Sequence, residues 1–111
     1  MAGKFVITKG RDDKYYFNLK AGNGEVVLTS QGYKAKVDCM NGIESVKKNS
    51  QNEARFEVKK SNDGKVYFVL TASNGQTIGK SQMYKSESGC SNGMKSVTSS
   101  AADAAVADES D

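Results

Sequence analysis

The sequence contains no histidine and no tryptophan, and only two cysteines, Cys39 and Cys90, placed 51 residues apart. Without histidine the chain lacks the usual general base near neutral pH and the commonest metal ligand. Ser-His-Asp and Cys-His nucleophilic catalysis are excluded within this chain. Two thiols alone cannot furnish the four nitrogen or sulfur ligands of a structural zinc site. A Walker-type phosphate loop is missing, and so is a G-x-G-x-x-G turn after a strand. The expectation is a non-catalytic chain with no metal and no cofactor; enzyme chemistry would have to rest on Tyr, Lys, Cys, Asp or Glu. Long apolar runs are missing too. The longest is Val66-Tyr67-Phe68-Val69-Leu70, far short of the roughly 18 residues a membrane helix needs. The segment Met1–Lys9 holds no apolar core of signal-peptide length. A cytoplasmic protein with reduced thiols and no membrane contact is expected.

At 111 residues the chain is long enough for one domain of ordinary size. Its formal charge of +3 hides an asymmetry. Residues 101–111 carry four acids, Asp103, Asp108, Glu109 and Asp111, and no base. Residues 1–100 therefore hold 16 basic and nine acidic side chains, a basic body ahead of an acidic tail. With Val106 as its one large apolar residue, the tail 101–111 reads as disordered. Its plain role is to keep the protein soluble; a sharper one is to fold back and screen the basic body.

An internal repeat organises the rest. A shift of 51 residues aligns Phe5–Val46 with Phe56–Val97 without a gap, with 19 identities in 42 positions. The two repeats span about 4–50 and 55–99. Each reads as three strands and a helix. Phe56 and Val58 alternate with Glu57 and Lys59, the period-two signature of a half-buried strand, and Phe5 and Ile7 do the same in the first copy. A second strand puts Tyr15, Phe17 and Leu19 on one face, matched by Val66, Phe68 and Leu70. Asn23-Gly24 and Asn74-Gly75 follow, a pairing that favours a two-residue type I′ hairpin. Third strands carry Val26-Val27-Leu28 and Thr77-Ile78-Gly79. The period then changes: Cys39, Ile43 and Val46, and Cys90, Met94 and Val97, form single apolar stripes of helices over roughly 35–49 and 86–99. Ser86 is a good N-cap, whereas Ala35 is a poor one. One such unit is too small to bury its sheet face alone. Two sharing a core predict an α+β fold: one antiparallel six-stranded sheet, two helices on one face, and an internal pseudo-twofold.

The doubled pattern F-x-[IV]-x-K…K-x-[YF]-F-x-L-x-A-x-N-G, S-x-x-Y-K and C-x-N-G-[IM]-x-S-V resembles the YegP-like family of small, uncharacterised bacterial proteins. The resemblance covers about residues 4–99 and omits the tail. It implies tandem β-β-β-α units in one sheet, with each helix crossing to pack on the other unit. It implies no activity, substrate or catalytic residue. A tandem repeat is already an internal dimer, so a monomer is expected.

Candidate sites have a chemical and a plainer reading. Lys14, Tyr16, Lys20, Lys65 and Tyr67 fall on the sheet face opposite the core. There they form a platform suited to stacking and charge contact with RNA or single-stranded DNA; the plainer reading is β-propensity and cross-strand packing. A protein partner on the same face, or at an exposed strand edge, is the alternative. Cys39 and Cys90 read as small core residues, or as a redox pair should the pseudo-twofold bring them together. Asn41-Gly42 and Asn92-Gly93 lie inside helices, where glycine costs about 1 kcal/mol relative to alanine. That cost, incurred twice, predicts close packing at both glycines, with the asparagines bonding to a neighbouring strand or loop. Tyr33 and Tyr84 are expected to pack at the strand-to-helix junctions.

Overall fold

A computed structural model describes residues 3–102 and 104–110. The elements are β1 (Lys4–Lys9), β2 (Tyr15–Lys20), β3 (Val26–Thr29), α1 (Lys36–Asn49), a short 3-10 turn (Glu53–Arg55), β4 (Phe56–Lys60), β5 (Val66–Thr71), β6 (Thr77–Lys80), α2 (Glu87–Ala101) and β7 (Ala105–Asp108). They build one sheet in the order β4-β5-β6-β3-β2-β1-β7. Both three-strand units are antiparallel meanders. They meet at the centre through β3 and β6, where Thr29 faces Lys80.

The six antiparallel strands form as the periodicity requires, but the sheet has seven strands and is mixed. The tail expected to be disordered supplies the seventh: β7 runs parallel to β1, with Val106 beside Phe5 and Asp108 beside Ile7. Asp103 and Asp111 lie outside the described residues. The physical reason is local. Ala101 and Ala104 are buried in the core, so the chain leaves α2 already pressed against β1. The Glu109 amide donates to the Ile7 carbonyl at 2.8 Å, and the Lys36 ammonium meets the Asp108 carboxylate at 2.8 Å. Low average hydrophobicity did not prevent ordering, because the partner strand supplies the hydrogen bonds.

The core lies between the sheet and the helices. Phe5, Phe17, Leu19, Phe68 and Leu70 are fully buried beneath Ile43, Val46 and Val97. Each helix packs on both units: α1 on β2 and on β5 and β6, α2 on β5 and on β1, β2 and β3. The unit that cannot bury its own face thus borrows the other unit's helix. Leu28 and Gly79 are equivalent by repeat and meet at the central seam. A Cβ on Gly79 would stand 2.6 Å from Leu28 Cδ2, so the axis has room for one leucine, not two.

The Asn-Gly hairpins differ from the expected type I′ form. Among their residues only Gly24 and Gly75 have positive φ, 86° and 85°. The Gly24 amide donates to the Ala21 carbonyl at 2.9 Å, and the Ala21 amide to the Glu25 carbonyl at 2.8 Å. These are three-residue loops in which a type I turn is followed by a left-handed glycine. Asn23 and Asn74 instead accept from the amides two residues on, each at 3.0 Å. The asparagine is used as a turn-closing acceptor, not as a left-handed residue.

Candidate functional site

Several repeat motifs serve packing, and Tyr33 and Tyr84 pack at the strand-to-helix junctions. In S-x-x-Y-K, the buried Ser30 hydroxyl accepts from the Phe17 amide at 2.9 Å and donates to the Gln31 carbonyl at 2.8 Å. Ser81 repeats both bonds with Phe68 and Gln82. Tyr33 stacks on Phe17 and Tyr84 on Phe68, each at 6.3 Å and 13°. Both rings are held by backbone bridges, to Tyr15 and Val66 respectively. Helix α1 passes over the first ring pair at Gly42, whose Cβ would lie 2.5 Å from Tyr33 Oη and 3.0 Å from Phe17 Cε2. Gly93 is pressed in the same way against Tyr84 and Phe68. The close packing predicted at the glycines is present, against aromatic side chains. The asparagines do not behave as expected. Asn41 and Asn92 are exposed, with no side-chain hydrogen bond among the described residues, since they sit on the solvent side of their helices.

Cys39 and Cys90 are both free thiols buried in the core. Burial, assisted by the charge of Asp108, pushes the Cys39 thiol up to about 11. Burial and then Glu87 push Cys90 up as well. A raised pKa keeps a thiol protonated and a poor nucleophile. Among the described residues no cluster of three or more His, Cys, Asp or Glu side chains is placed to hold a metal ion. No helix there is long and apolar enough to cross a membrane.

The outer face carries the predicted platform residues, but in two separated halves. Tyr16 and Lys20 lie on β2, with Lys14 just before it; Tyr67 lies on β5, with Lys65 just before it. Strands β3 and β6 stand between, a gap of about 14 Å at the usual strand spacing. Both tyrosines are already engaged. The Tyr16 hydroxyl donates to Asp12 Oδ2 at 2.7 Å, which lowers the Asp12 pKa and raises that of Tyr16. The Lys80 ammonium lies 4.9 Å from the centre of the Tyr67 ring. Lys65 faces Asp63 at 3.9 Å.

A second feature was not singled out by the sequence. The two outermost strands of the repeats are equivalent, yet their inner faces differ. Phe5 and Ile7 of β1 are 0% and 1% exposed. Their counterparts on β4 are not covered: Phe56 is only half-buried and Val58 is 51% exposed. Ile43 is buried, whereas its counterpart Met94 is partly open. Phe56, Val58, Met94, Lys95, Thr98 and Gln51 line a groove of about 520 Å³ between β4 and α2. Strand β4 ends the sheet, with no neighbour on its outer side among the described residues. On the opposite margin the equivalent edge is occupied by β7. The signal in the sequence was indirect: a shift of 51 residues sets β7 on residues 54–57, which enter β4 itself, so among the described residues no copy of β7 is left to cover the β4 edge.

The fold and these sites define a class: a tandem-repeat α+β protein with one closed and one open sheet edge. Comparison with known proteins places it further. The family described as Domain of unknown function (DUF1508) matches residues 11–57 and 61–108, and the chain belongs to that family. A UPF0339 protein of Pseudomonas aeruginosa is 50% identical over 99% of this chain and 100% of its own length. The UPF0339 protein YegP of Escherichia coli is 44% identical over 97% of this chain and 98% of its own length. The solution structure of E. coli YegP, a protein of unknown function, matches with a TM-score of 0.94 over 99% of this chain and 95% of that one. The solution structure of a UPF0339 protein from Shewanella oneidensis matches at 46% identity, with a TM-score of 0.91, over 97% and 92%. The first family match stops at Glu57, two residues into β4, and the second runs to Asp108, the last residue of β7. The tail strand therefore lies within the family's unit, not outside it.

Proposed function

We propose that the protein is a small, monomeric, non-catalytic binding module that accepts an extended polypeptide segment at the edge of β4. The observation that carries this reading is the contrast between the two sheet margins. One fold presents the same edge twice. On one side an extended strand pairs with it and the apolar inner face is dry; on the other the edge is open and Val58 is 51% exposed. Backbone groups at an open edge supply affinity for an added strand, and the adjoining pocket supplies side-chain selectivity. A cytoplasmic setting fits the reduced, buried thiols.

The test is selection of extended heptapeptides from a random display library on the immobilised full chain, followed by amide chemical-shift mapping. Binders should perturb Phe56–Lys60 and lose affinity to the exposed-site variant Val58→Lys. Binders that ignore Val58→Lys and map elsewhere would overturn the reading.

A second reading retains the outer face for RNA or single-stranded DNA. It is supported by Lys14 and Lys20 on one half, Lys65 and Lys80 on the other, and a hollow of about 450 Å³ at the β3–β6 seam between them. Steeply salt-dependent anisotropy with short single strands, weakened by Tyr16→Ala with Tyr67→Ala, would support it. Absence of binding at low salt would end it. Removing the tail is a poor control, because β7 closes the β1 edge.

A further inference from the structure

The occupied margin shows how this fold holds a strand, and repeat equivalence transfers that geometry to the open one. Beside β1, Val106 lies opposite Phe5, and two residues later Asp108 lies opposite Ile7. Asp108 then reaches the helix side of the sheet and is clasped by Lys36 at the start of α1. Shifting by 51 residues puts Phe56 in the place of Phe5, Val58 in that of Ile7, and Glu87 in that of Lys36. The clasp residue has changed sign. Glu87 is exposed in the first turn of α2 and has no ion pair among the described residues.

Resting on the strand-addition reading above, we infer that the β4 edge selects a parallel strand carrying an aliphatic residue such as valine opposite Phe56 and a lysine or arginine two residues later, paired with Glu87. The same inversion disfavours the acidic tail of a second copy. A swapped β7 would bring Asp108 against Glu87 and lose its cation. The open edge is thereby protected from head-to-tail addition of its own tail, which a heterologous contact of this kind would otherwise propagate into a filament. The protein's net charge of +3 favours anionic ligands at long range, so a preference for a cationic strand has to come from the local pair.

The test uses the full chain with two capped, fluorescein-labelled peptides, Ala-Ala-Val-Ala-Lys-Gln-Ser and Ala-Ala-Val-Ala-Asp-Gln-Ser. Anisotropy reads affinity, and amide shifts read the site. The lysine peptide should perturb Phe56–Lys60 and bind roughly three- to tenfold more tightly than the aspartate peptide, the range expected for reversing one exposed charge pair. Glu87→Gln should erase the preference and Glu87→Lys should invert it; both change an exposed side chain and leave the core intact. Equal binding of the two peptides at β4, unmoved by Glu87→Lys, would overturn the charge assignment and leave strand addition standing. If neither peptide perturbs β4, both readings fall. Concentration-dependent dimerisation through β4, unmoved by either peptide, would overturn the inference in favour of a second copy.

Discussion

Replacing Gly42 with alanine sets two effects of known sign against each other. In an unobstructed helix the change stabilises by about 1 kcal/mol, because glycine loses more backbone entropy on folding. Here the new methyl would lie 2.5 Å from Tyr33 Oη and 3.0 Å from Phe17 Cε2, where an ordinary carbon contact needs about 3.5–4.0 Å. The ring has little freedom to withdraw. Tyr33 is stacked on the fully buried Phe17, and its backbone is tied to Tyr15 by hydrogen bonds of 2.7 and 2.8 Å. Overpacking of a dense site costs about 1–3 kcal/mol. The clash should therefore win, leaving Gly42→Ala destabilised by about 1 kcal/mol, or a drop of roughly 4 °C in Tm.

The informative measurement is a double-mutant cycle with Tyr33→Phe, followed by urea denaturation. Removing the hydroxyl deletes the nearest atom. In that background the penalty of Gly42→Ala should shrink, with a coupling of about 1 kcal/mol, since only the 3.0 Å approaches to the ring carbons of residues 17 and 33 remain. For Gly93→Ala the relief from Tyr84→Phe should be only partial, because the ring carbon Cζ of residue 84 would still lie 2.6 Å from the new methyl. If Gly42→Ala stabilises the parent chain by the full helix propensity and shows no coupling to residue 33, the close-packing account of the paired glycines is refuted.

Other expectations follow from comparing one repeat with the other. The Ser86 hydroxyl accepts from the Gly89 amide at 3.1 Å, while Ala35 has the same extended cap conformation and no side-chain cap; Ala35→Ser should gain about 1 kcal/mol in chemical denaturation. Ser30→Ala removes the buried acceptor of the Phe17 amide and should cost about 1–3 kcal/mol by the same assay. Asp13 holds φ 62° where the second repeat has Gly64 at 84°; Asp13→Gly should gain about 0.5 kcal/mol by relieving left-handed strain, and a loss would show that Asp13 has another role. Acid should release the tail strand. Lys36 and Ser110 depress the Asp108 carboxyl to about 2 from an ordinary 3.8. A depressed carboxyl stabilises above its unfolded pKa and loses that contribution as pH falls. Amide protection at Glu109 should thus decline between about pH 4 and pH 2, and Asp108→Asn should remove that dependence.

Much of the fold was legible because duplication repeats each signal. Phe5, Phe17, Leu19 and their counterparts alternate with polar residues, and Cys39, Ile43 and Val46 recur at helical spacing, so strands, helices and the inward faces could be read directly. The tail could not. Ala105–Asp108 has little hydrophobicity of its own, and its order comes from β1, whose paired residues lie 101 positions earlier in sequence. The open groove was hidden for a related reason. Alternation states which face Val58 occupies and nothing about what lies over it. Val58 does point inward, opposite Phe68, yet half its surface remains exposed. For the outer tyrosines, periodicity gave the face correctly but not the Asp12 hydroxyl bond or the Lys80 contact, which depend on residues in neighbouring turns and strands.

Departures from the internal symmetry separate packing from binding. A perfect duplication would place identical side chains on the axis and identical edges at both margins. At the axis two leucines would collide, so Leu28 faces Gly79; this asymmetry is resolved within the core and leaves no surface. At the margins β7 pairs with β1 alone, so it closes a single edge. The β4 edge has no strand neighbour among the described residues and keeps Val58 exposed. An exposed edge strand is a hazard that sequences ordinarily blunt with charge. Here Glu57, Lys59 and Lys60 accompany Val58 on β4, and Glu87 stands where Lys36 secures the tail. On the strand-addition reading proposed above, those charges would leave the edge selective instead of sealed, with Val58 uncovered and Glu87 disfavouring the acidic strand this chain carries itself.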